Sequence, residues 1–211
     1  MKGNLIILTS PSGGGKGTLI LQLMANNIGI GYSVSYTTRK MRDGEIDGRD
    51  YFFVDDDDFK ARIANNEFLE YAEVHGNYYG TSKAVVDSHI AEGKDVILEI
   101  DVQGAKSILE KMPQAVSIFI MPPSFEALSY RLTTRATETT EHLSLRLKNS
   151  FDEVREHKDF EYVVINDEIA SATRRLESII LAERQKRVRQ KEAIQDILNS
   201  FDASRQRITG D

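Results

Sequence analysis

Nine consecutive residues, Ser10-Pro11-Ser12-Gly13-Gly14-Gly15-Lys16-Gly17-Thr18, constrain this chain more than any other stretch. They stand between a short apolar run, Leu5 to Leu8, and a segment in which Leu19, Leu23 and Met24 recur at helical spacing. Strand, glycine-rich turn, lysine and helix, in that order, are the mechanical parts of a phosphate-binding loop. The glycines let the backbone turn tightly and aim N–H groups at phosphate oxygens, and the following helix adds the positive end of its dipole. Lys16 supplies a flexible point charge for β- and γ-phosphates. Two positions depart from the strict pattern. Ser10 stands where it has Gly, and Gly17 stands where it has a hydroxyl, which comes one residue later at Thr18. The usual direct Mg²⁺ ligand is therefore missing. The expectation is an ion held by substrate phosphates and water, with no residue assigned as a metal ligand.

The rest of the chain decides what surrounds that loop. Buried strands are expected at Val96 to Ile100, Val116 to Met121 and Tyr162 to Ile165, with helices near 83–91, 104–111 and 124–134. Such alternation implies crossovers and a parallel sheet covered on both faces, an α/β/α three-layer core. The 211 residues suffice for one domain with small inserted lobes. A net charge of −6, from 27 basic and 33 acidic side chains, argues against a general binder of long nucleic acids. The 40% hydrophobic and 28% charged composition fits a soluble globular chain. The absence of cysteine removes disulfides and thiolate chemistry and suits a cytoplasmic location. No apolar run reaches the roughly 18 residues a membrane helix needs, and the N-terminal stretch does not read as a signal peptide.

Two regions interrupt the alternation. Residues 33–81 are rich in Tyr, Phe, Thr and Gly and read as a small, mixed, mostly antiparallel lobe. It should contain one helix, led by Asp55 to Asp58 and followed by Phe59, Ile63 and Phe68. The aspartates suit a helix N-terminus better than a metal site. Residues 131–159 are polar, then helical through Leu143, Leu147, Phe151 and Val154, as a mobile lid would be. The core is then about 1–32, 82–130 and 160–211. Residues 168–200 keep a broadly helical rhythm. Within the lobe, Arg39 and Arg42 are three residues apart among hydroxyls. Two guanidinium forks with a phenol make a plausible clamp for a phosphate dianion, although an Arg-x-x-Arg alone is more often a surface feature.

At this point the sequence resembles the guanylate kinases over roughly residues 3 to 185. The ordered blocks are the Ser-Pro-Ser-Gly-x-Gly-Lys-x-Thr loop, Ser35 to Arg42 with Gly44-Glu45, and Asp50-Tyr51-x-Phe53. Then come Glu67 to Glu70, Gly76 to Thr81, Leu98 to Gly104, Pro122-Pro123-Ser124, Arg135-Ala136-Thr137-Glu138 and Asn166-Asp167. The resemblance implies an enzyme that moves a phosphoryl group from ATP to GMP, and by extension to dGMP, with Mg²⁺. Its ATP side would comprise Ser10, Pro11, Ser12, Gly13, Gly14, Gly15, Lys16, Gly17 and Thr18, with Asn166 near the adenine. Arg39, Arg42, Tyr51 and Tyr79 would hold the GMP phosphate, while Ser35, Glu70 and Thr81 would read guanine. Either Tyr78 or Tyr79 suffices at the ligand, the other being packing. Arg131, Arg135 and Arg146 would join Lys16 and Arg39 as the catalytic cations, and Ala136 replaces a Gly common in the family's Arg-Gly-Thr block.

The residue chemistry agrees for Glu70. Guanine presents N1–H and N2–H₂ side by side, one carboxylate can accept both, and adenine offers no such pair. Glu99 and Asp101 follow the second buried strand, at the edge where open α/β sheets bind ligands. They can orient Mg²⁺ through water, contact the GMP side, or merely satisfy nearby loop N–H groups. The alternatives to an ATP:GMP phosphotransferase are a non-catalytic interaction module of the same fold and a related kinase with another phosphorylated acceptor. GMP and ATP are the expected partners, with no long nucleic acid and no membrane, and the oligomeric state stays open.

Overall fold

The structure is a computed structural model, and it describes residues 2–26, 29–74, 76–134 and 140–209. In chain order the strands and helices are β1 (Leu5–Thr9), α1 (Lys16–Ala25), β2 (Ile30–Tyr32), β3 (Tyr36–Thr37), β4 (Phe52–Phe53), α2 (Asp56–Ala64), β5 (Phe68–Val74), β6 (Asn77–Ser82) and α3 (Lys83–Ala91). They continue with β7 (Asp95–Glu99), α4 (Val102–Lys111), β8 (Val116–Met121), α5 (Phe125–Thr134), α6 (Thr140–Glu153), a 3₁₀ turn (Val154–Asp159), β9 (Tyr162–Ile165), α7 (Ile169–Arg184) and α8 (Lys191–Thr209).

Five strands form an all-parallel sheet in the order β2-β7-β1-β8-β9. β1 is central and wholly buried, which is why its sequence is an uninterrupted apolar run. Its side chains alternate between the two faces. Ile6 and Leu8 pack with Leu19 and Leu23 of α1 and Leu176 and Ile180 of α7. Leu5 and Ile7 pack on the other side with Val86 of α3 and Ile108 of α4. Truncating Leu8, which is fully buried, to Ala would cost about 2–5 kcal/mol. This is the α/β/α architecture expected, and its central strand delivers the glycine loop at the sheet's C-terminal edge.

The second sheet runs β4-β3-β6-β5. Two of its pairings are antiparallel and β3–β4 is parallel, so it is mixed. Asp55 caps α2 by accepting the Asp58 N–H at 2.8 Å, and Asp56 to Asp58 fill the first turn. The aspartate run thus serves the helix start. α2 stops at Ala64, short of the expected Phe68. Asn66 takes a left-handed φ of 56°, which Asn tolerates better than most residues, and Phe68 goes to β5 instead.

The C-terminal segment also differs from the single rhythm read in the sequence. α7 ends at Arg184 and a turn precedes α8, with Arg189 N–H donating to the Lys186 carbonyl at 2.8 Å. The physical reason is local. Residues 186–191 carry four cations, and their one apolar residue, Val188, is exposed. That stretch has no apolar face with which to hold the helix on the core.

Candidate active site

The glycine loop leaves the buried end of β1 and takes two left-handed residues, Gly13 at φ 82° and Gly15 at φ 89°. Space enforces the same choice. A Cβ on Gly13 would lie 2.7 Å from Leu132 Cγ, and one on Gly15 would lie 2.4 Å from Asn166 Nδ2. Gly15 is the N-cap of α1 and offers no side-chain acceptor to its first N–H groups. Lys16, half-buried, opens the helix, and Thr18 is exposed. Position 17 differs from its neighbours. A Cβ there would stand 3.8 and 3.9 Å from the two carboxylate oxygens of Glu99, an ordinary contact. Space does not forbid a side chain at Gly17.

Three elements fasten the loop from outside. Asn166, following β9, donates through Nδ2 to the Gly14 carbonyl at 2.9 Å. Arg131 of α5 donates to that carbonyl at 3.4 Å and to the Asn166 carbonyl at 2.8 Å. From α6, Arg146 Nε donates to Ser12 Oγ at 2.7 Å, and the Ser12 N–H donates to Glu153 Oε2 at 2.8 Å. Glu153 was not among the residues the sequence singled out. The signal was its spacing of seven from Arg146, two helical turns along one face. Arg135 lies outside the described residues.

Glu99 ends β7 beside the glycine loop. Besides facing Gly17, it accepts a long hydrogen bond of 3.4 Å from the Tyr32 hydroxyl. Burial, reinforced by the Glu99 charge, pushes the Tyr32 hydroxyl's pKa up, and the same causes raise that of Tyr51 to about 12. Asp101 has a different surrounding. The strand has ended, and its Oδ1 accepts the Gly104 N–H at 2.8 Å as the N-cap of α4. The two acids, two apart in sequence, do not share one strand face.

After β3, Arg39 is held by neighbours in its own lobe. It pairs with Glu45 at 2.7 Å, donates to the Lys40 carbonyl at 2.7 Å, and lies 5.3 Å from the Tyr51 ring centroid. Burial disfavours both charges, yet the Arg39–Glu45 bond outweighs it. The Glu45 carboxyl is held below its ordinary range and the Arg39 guanidinium above its own. Tyr79 meets Tyr51 edge-on at 5.9 Å. Tyr78 instead stacks on the buried Phe59 at 5.4 Å and reads as packing. Arg42 is exposed, and its backbone N–H donates to Glu45 Oε2 at 2.7 Å. Arg39, Tyr51 and Tyr79 are therefore drawn together, with Arg42 at their rim.

Glu70 lies deeper, on β5 against the start of α4. It is 5% exposed, and it accepts the Thr81 hydroxyl at 2.6 Å. A Cβ on Gly104 would come within 2.8 Å of its other oxygen, so a larger residue there would displace the carboxylate. Burial raises its pKa to about 7, with the Asp101 charge adding and the Thr81 bond opposing. Ser35 is buried at the entry to β3. Among the described residues, no group of three or more acids and histidines is placed to hold a metal ion, and no helix is long and apolar enough to cross a membrane.

The guanylate kinase family model matches residues 2–183. The chain is 47% identical to the guanylate kinase of Symbiobacterium thermophilum over 197 residues, 93% of each chain. It is 47% identical to that of Neisseria meningitidis serogroup A over 199 residues, 94% of this chain and 97% of the other. The crystal structure of guanylate kinase from Anaplasma phagocytophilum superposes with a TM-score of 0.74 at 37% identity, covering 89% of both chains.

The chain belongs to the guanylate kinase family. The reading of an ATP-dependent GMP kinase holds, and no observation favours the non-catalytic interaction module. Guanylate kinases need two phosphorylated ligands side by side, and this fold offers two polar surfaces. One is the loop with Lys16, Ser12, Arg131 and Arg146. The other is the lobe with Arg39, Tyr51, Tyr79, Glu70 and Thr81.

Proposed function

We propose that this chain phosphorylates GMP and dGMP at the expense of ATP, with the second sheet as GMP lobe and residues 131–159 as lid. The observation that carries the acceptor is Glu70. A carboxylate buried beside one hydroxyl, on a lobe that also carries a pre-set arginine, suits a base offering two adjacent N–H donors. GMP's phosphate lies on Arg39, Arg42, Tyr51 and Tyr79, and Ser35 and Thr81 complete guanine reading. ATP's phosphates lie in the loop from Ser10 to Thr18, with Asn166 toward the adenine.

The reaction is a direct transfer. An oxygen of the GMP phosphate attacks the γ-phosphorus of ATP, the bond from γ-phosphorus to the bridging oxygen breaks, and ADP leaves with that oxygen's electrons. Little covalent help is needed, so the protein contributes alignment and charge. Lys16 and the lid arginines Arg131, Arg135 and Arg146 neutralise the moving group, while Arg39 fixes the acceptor. Lid closure keeps water from taking the phosphoryl group. A magnesium ion would be held mainly by the substrate phosphates and water. Glu99, whose carboxylate faces the side-chain-free position 17, would orient the water shell of an ion carried on the phosphates, where the ion would screen their charge. The composition and the small anionic substrates suit a cytoplasmic enzyme.

A coupled assay of ADP release across GMP, dGMP, AMP, UMP and CMP tests this reading. Fast turnover with GMP and dGMP and slow turnover with AMP is the expected pattern. Equal rates with GMP and AMP would remove guanine reading from Glu70.

A further inference from the structure

The edge of the parallel sheet away from the glycine loop carries a second group of cations. There a cavity of about 210 Å³ lies between the ends of two strands and the turn that joins α7 to α8. Asn4 just precedes β1, and Asp95 opens β7. Among the described residues that line the cavity, Asp95 is the one acid, and it is fully engaged. One oxygen accepts the Asn4 backbone N–H at 2.6 Å and Asn4 Nδ2 at 2.9 Å, and the other accepts Arg184 Nε at 2.7 Å. The Arg184 charge thus answers that of Asp95. Lys2 and Arg189 line the same cavity, and neither pairs with an acid among the described residues. Arg189 is half-buried, so its charge is only partly answered by water. The turn fixes its surroundings. Gln190 Nε2 donates to the Arg184 carbonyl at 3.0 Å and to Gln185 Oε1 at 3.3 Å, which leaves the Gln185 N–H₂ able to donate elsewhere. A second signal comes from the wall itself. Asn4 is 2% exposed, and its Oδ1 is a buried acceptor that receives no hydrogen bond.

We propose that this cavity binds inorganic phosphate, as hydrogen phosphate, at a site separate from that of the substrates. Three features select that ion. The first is charge. Two cations in excess of the Asp95–Arg184 pair line a recess whose low-dielectric walls concentrate their field, and a dianion balances them. The second is hydrogen bonding. A tetrahedral oxyanion offers acceptors to the Arg189 fork and to the Gln185 amide, while the single O–H of hydrogen phosphate gives Asn4 Oδ1 the donor it lacks. Sulfate has the same shape and charge and no such donor. The third is size. Pockets that take drug-sized ligands run to roughly 300–1,000 Å³, so this smaller one suits a compact ion better than a whole nucleotide. The net charge of −6 does not oppose this, because local placement of cations decides what a recess attracts.

NMR titration of the isotope-labelled full chain with sodium phosphate and with sodium sulfate, against a chloride background of constant ionic strength at pH 8, tests this. Phosphate should shift the backbone amides of Gly93 and Gln190 and the side-chain amide of Gln185 along one saturable curve. No saturable shift at these groups overturns the proposal. A curve there that merely follows the one at Gly13 and Gly15 would mark transmission from the glycine loop and would overturn a separate site. Sulfate should bind several-fold more weakly, and equal affinity for the two ions overturns hydrogen phosphate as the ligand. Arg189→Gln should abolish the shifts at Gly93 and Gln190, leave the response of Gly13 and Gly15 as it was, and keep both the melting curve and the phosphotransferase activity. Shifts at Gly93 and Gln190 that survive in that variant overturn the site. Lys2→Gln, at an exposed position, should weaken phosphate several-fold, and an unchanged affinity overturns the pairing of the dianion with these two cations.

Discussion

Replacing Glu70 by Gln should make the protein more stable and a worse enzyme, and the size of the gain should depend on pH in a defined way. The folded chain holds this carboxyl at about 7 against an ordinary 4.5. A tenfold difference in proton affinity between the folded and unfolded chain is worth about 1.36 kcal/mol. The sign follows from the linkage between protonation and folding. Because the folded-state value is raised, the unfolded chain gives up the proton first, and ionisation penalises the fold as pH rises above about 4.5. The penalty grows until about pH 7, where it is roughly 3 kcal/mol, and then levels off. At pH 5 it is below about 1 kcal/mol. Gln is nearly isosteric, keeps an oxygen for the Thr81 hydroxyl bond, and carries no charge to bury beside Asp101.

Urea titration at pH 5 and pH 8 reads this difference directly. The variant should gain up to about 3 kcal/mol at pH 8, or on the order of 2–4 °C in Tm per kcal/mol, and little at pH 5. The same substitution presents guanine with an acceptor and a donor where it needs two acceptors. kcat/KM for GMP should fall by about two orders of magnitude. In the wild type, capture of GMP should weaken below pH 7 as Glu70 takes a proton, and the variant should lack that limb of the profile. A Gln variant no more stable than wild type at pH 8, or equally stabilised at both pH values, would refute burial as the cause. An unchanged kcat/KM for GMP would refute guanine reading at this residue.

Three further substitutions separate the parts of the site. Lys16→Ala should lower kcat by about 10²-fold or more with an unchanged melting curve, because the charge acts on transferring phosphate rather than on packing. Arg39→Ala should act mainly on KM for GMP and should also free Glu45, whose carboxyl then returns toward its ordinary range in an NMR titration. Glu153→Ala removes the acceptor for the Ser12 N–H and should cost about tenfold in kcat/KM for ATP; Glu153→Gln, which still accepts that bond, should recover most of it.

What could be read in the sequence was whatever is decided by neighbours in the chain. β1 is legible because a strand buried on both faces must be continuously apolar, and the glycine loop because its turn, lysine and helix start are contiguous. Asp55 is legible as a cap for the same reason. The lobe was readable as a region but not as pairings. Tyr36 pairs with Phe52 on one side and Gly80 on the other, and two-residue strands carry too few side chains to show a period. Site residues divide along the same line. Arg39 could be named from its local company of hydroxyls and arginine, but its orientation depends on Glu45 and on the rings of Tyr51 and Phe53. Glu153 acts on Ser12 across 141 residues of sequence. Glu70 is the clearest case. The sequence shows a carboxylate on a strand, and chemistry says what such a group can accept. Its raised pKa comes from burial that only the assembled fold supplies, with the Asp101 charge adding to it. On the proposed guanine reading, two N–H donors would offset the cost of that buried charge, so the preference for guanine would rest on the part of the lobe least visible in sequence.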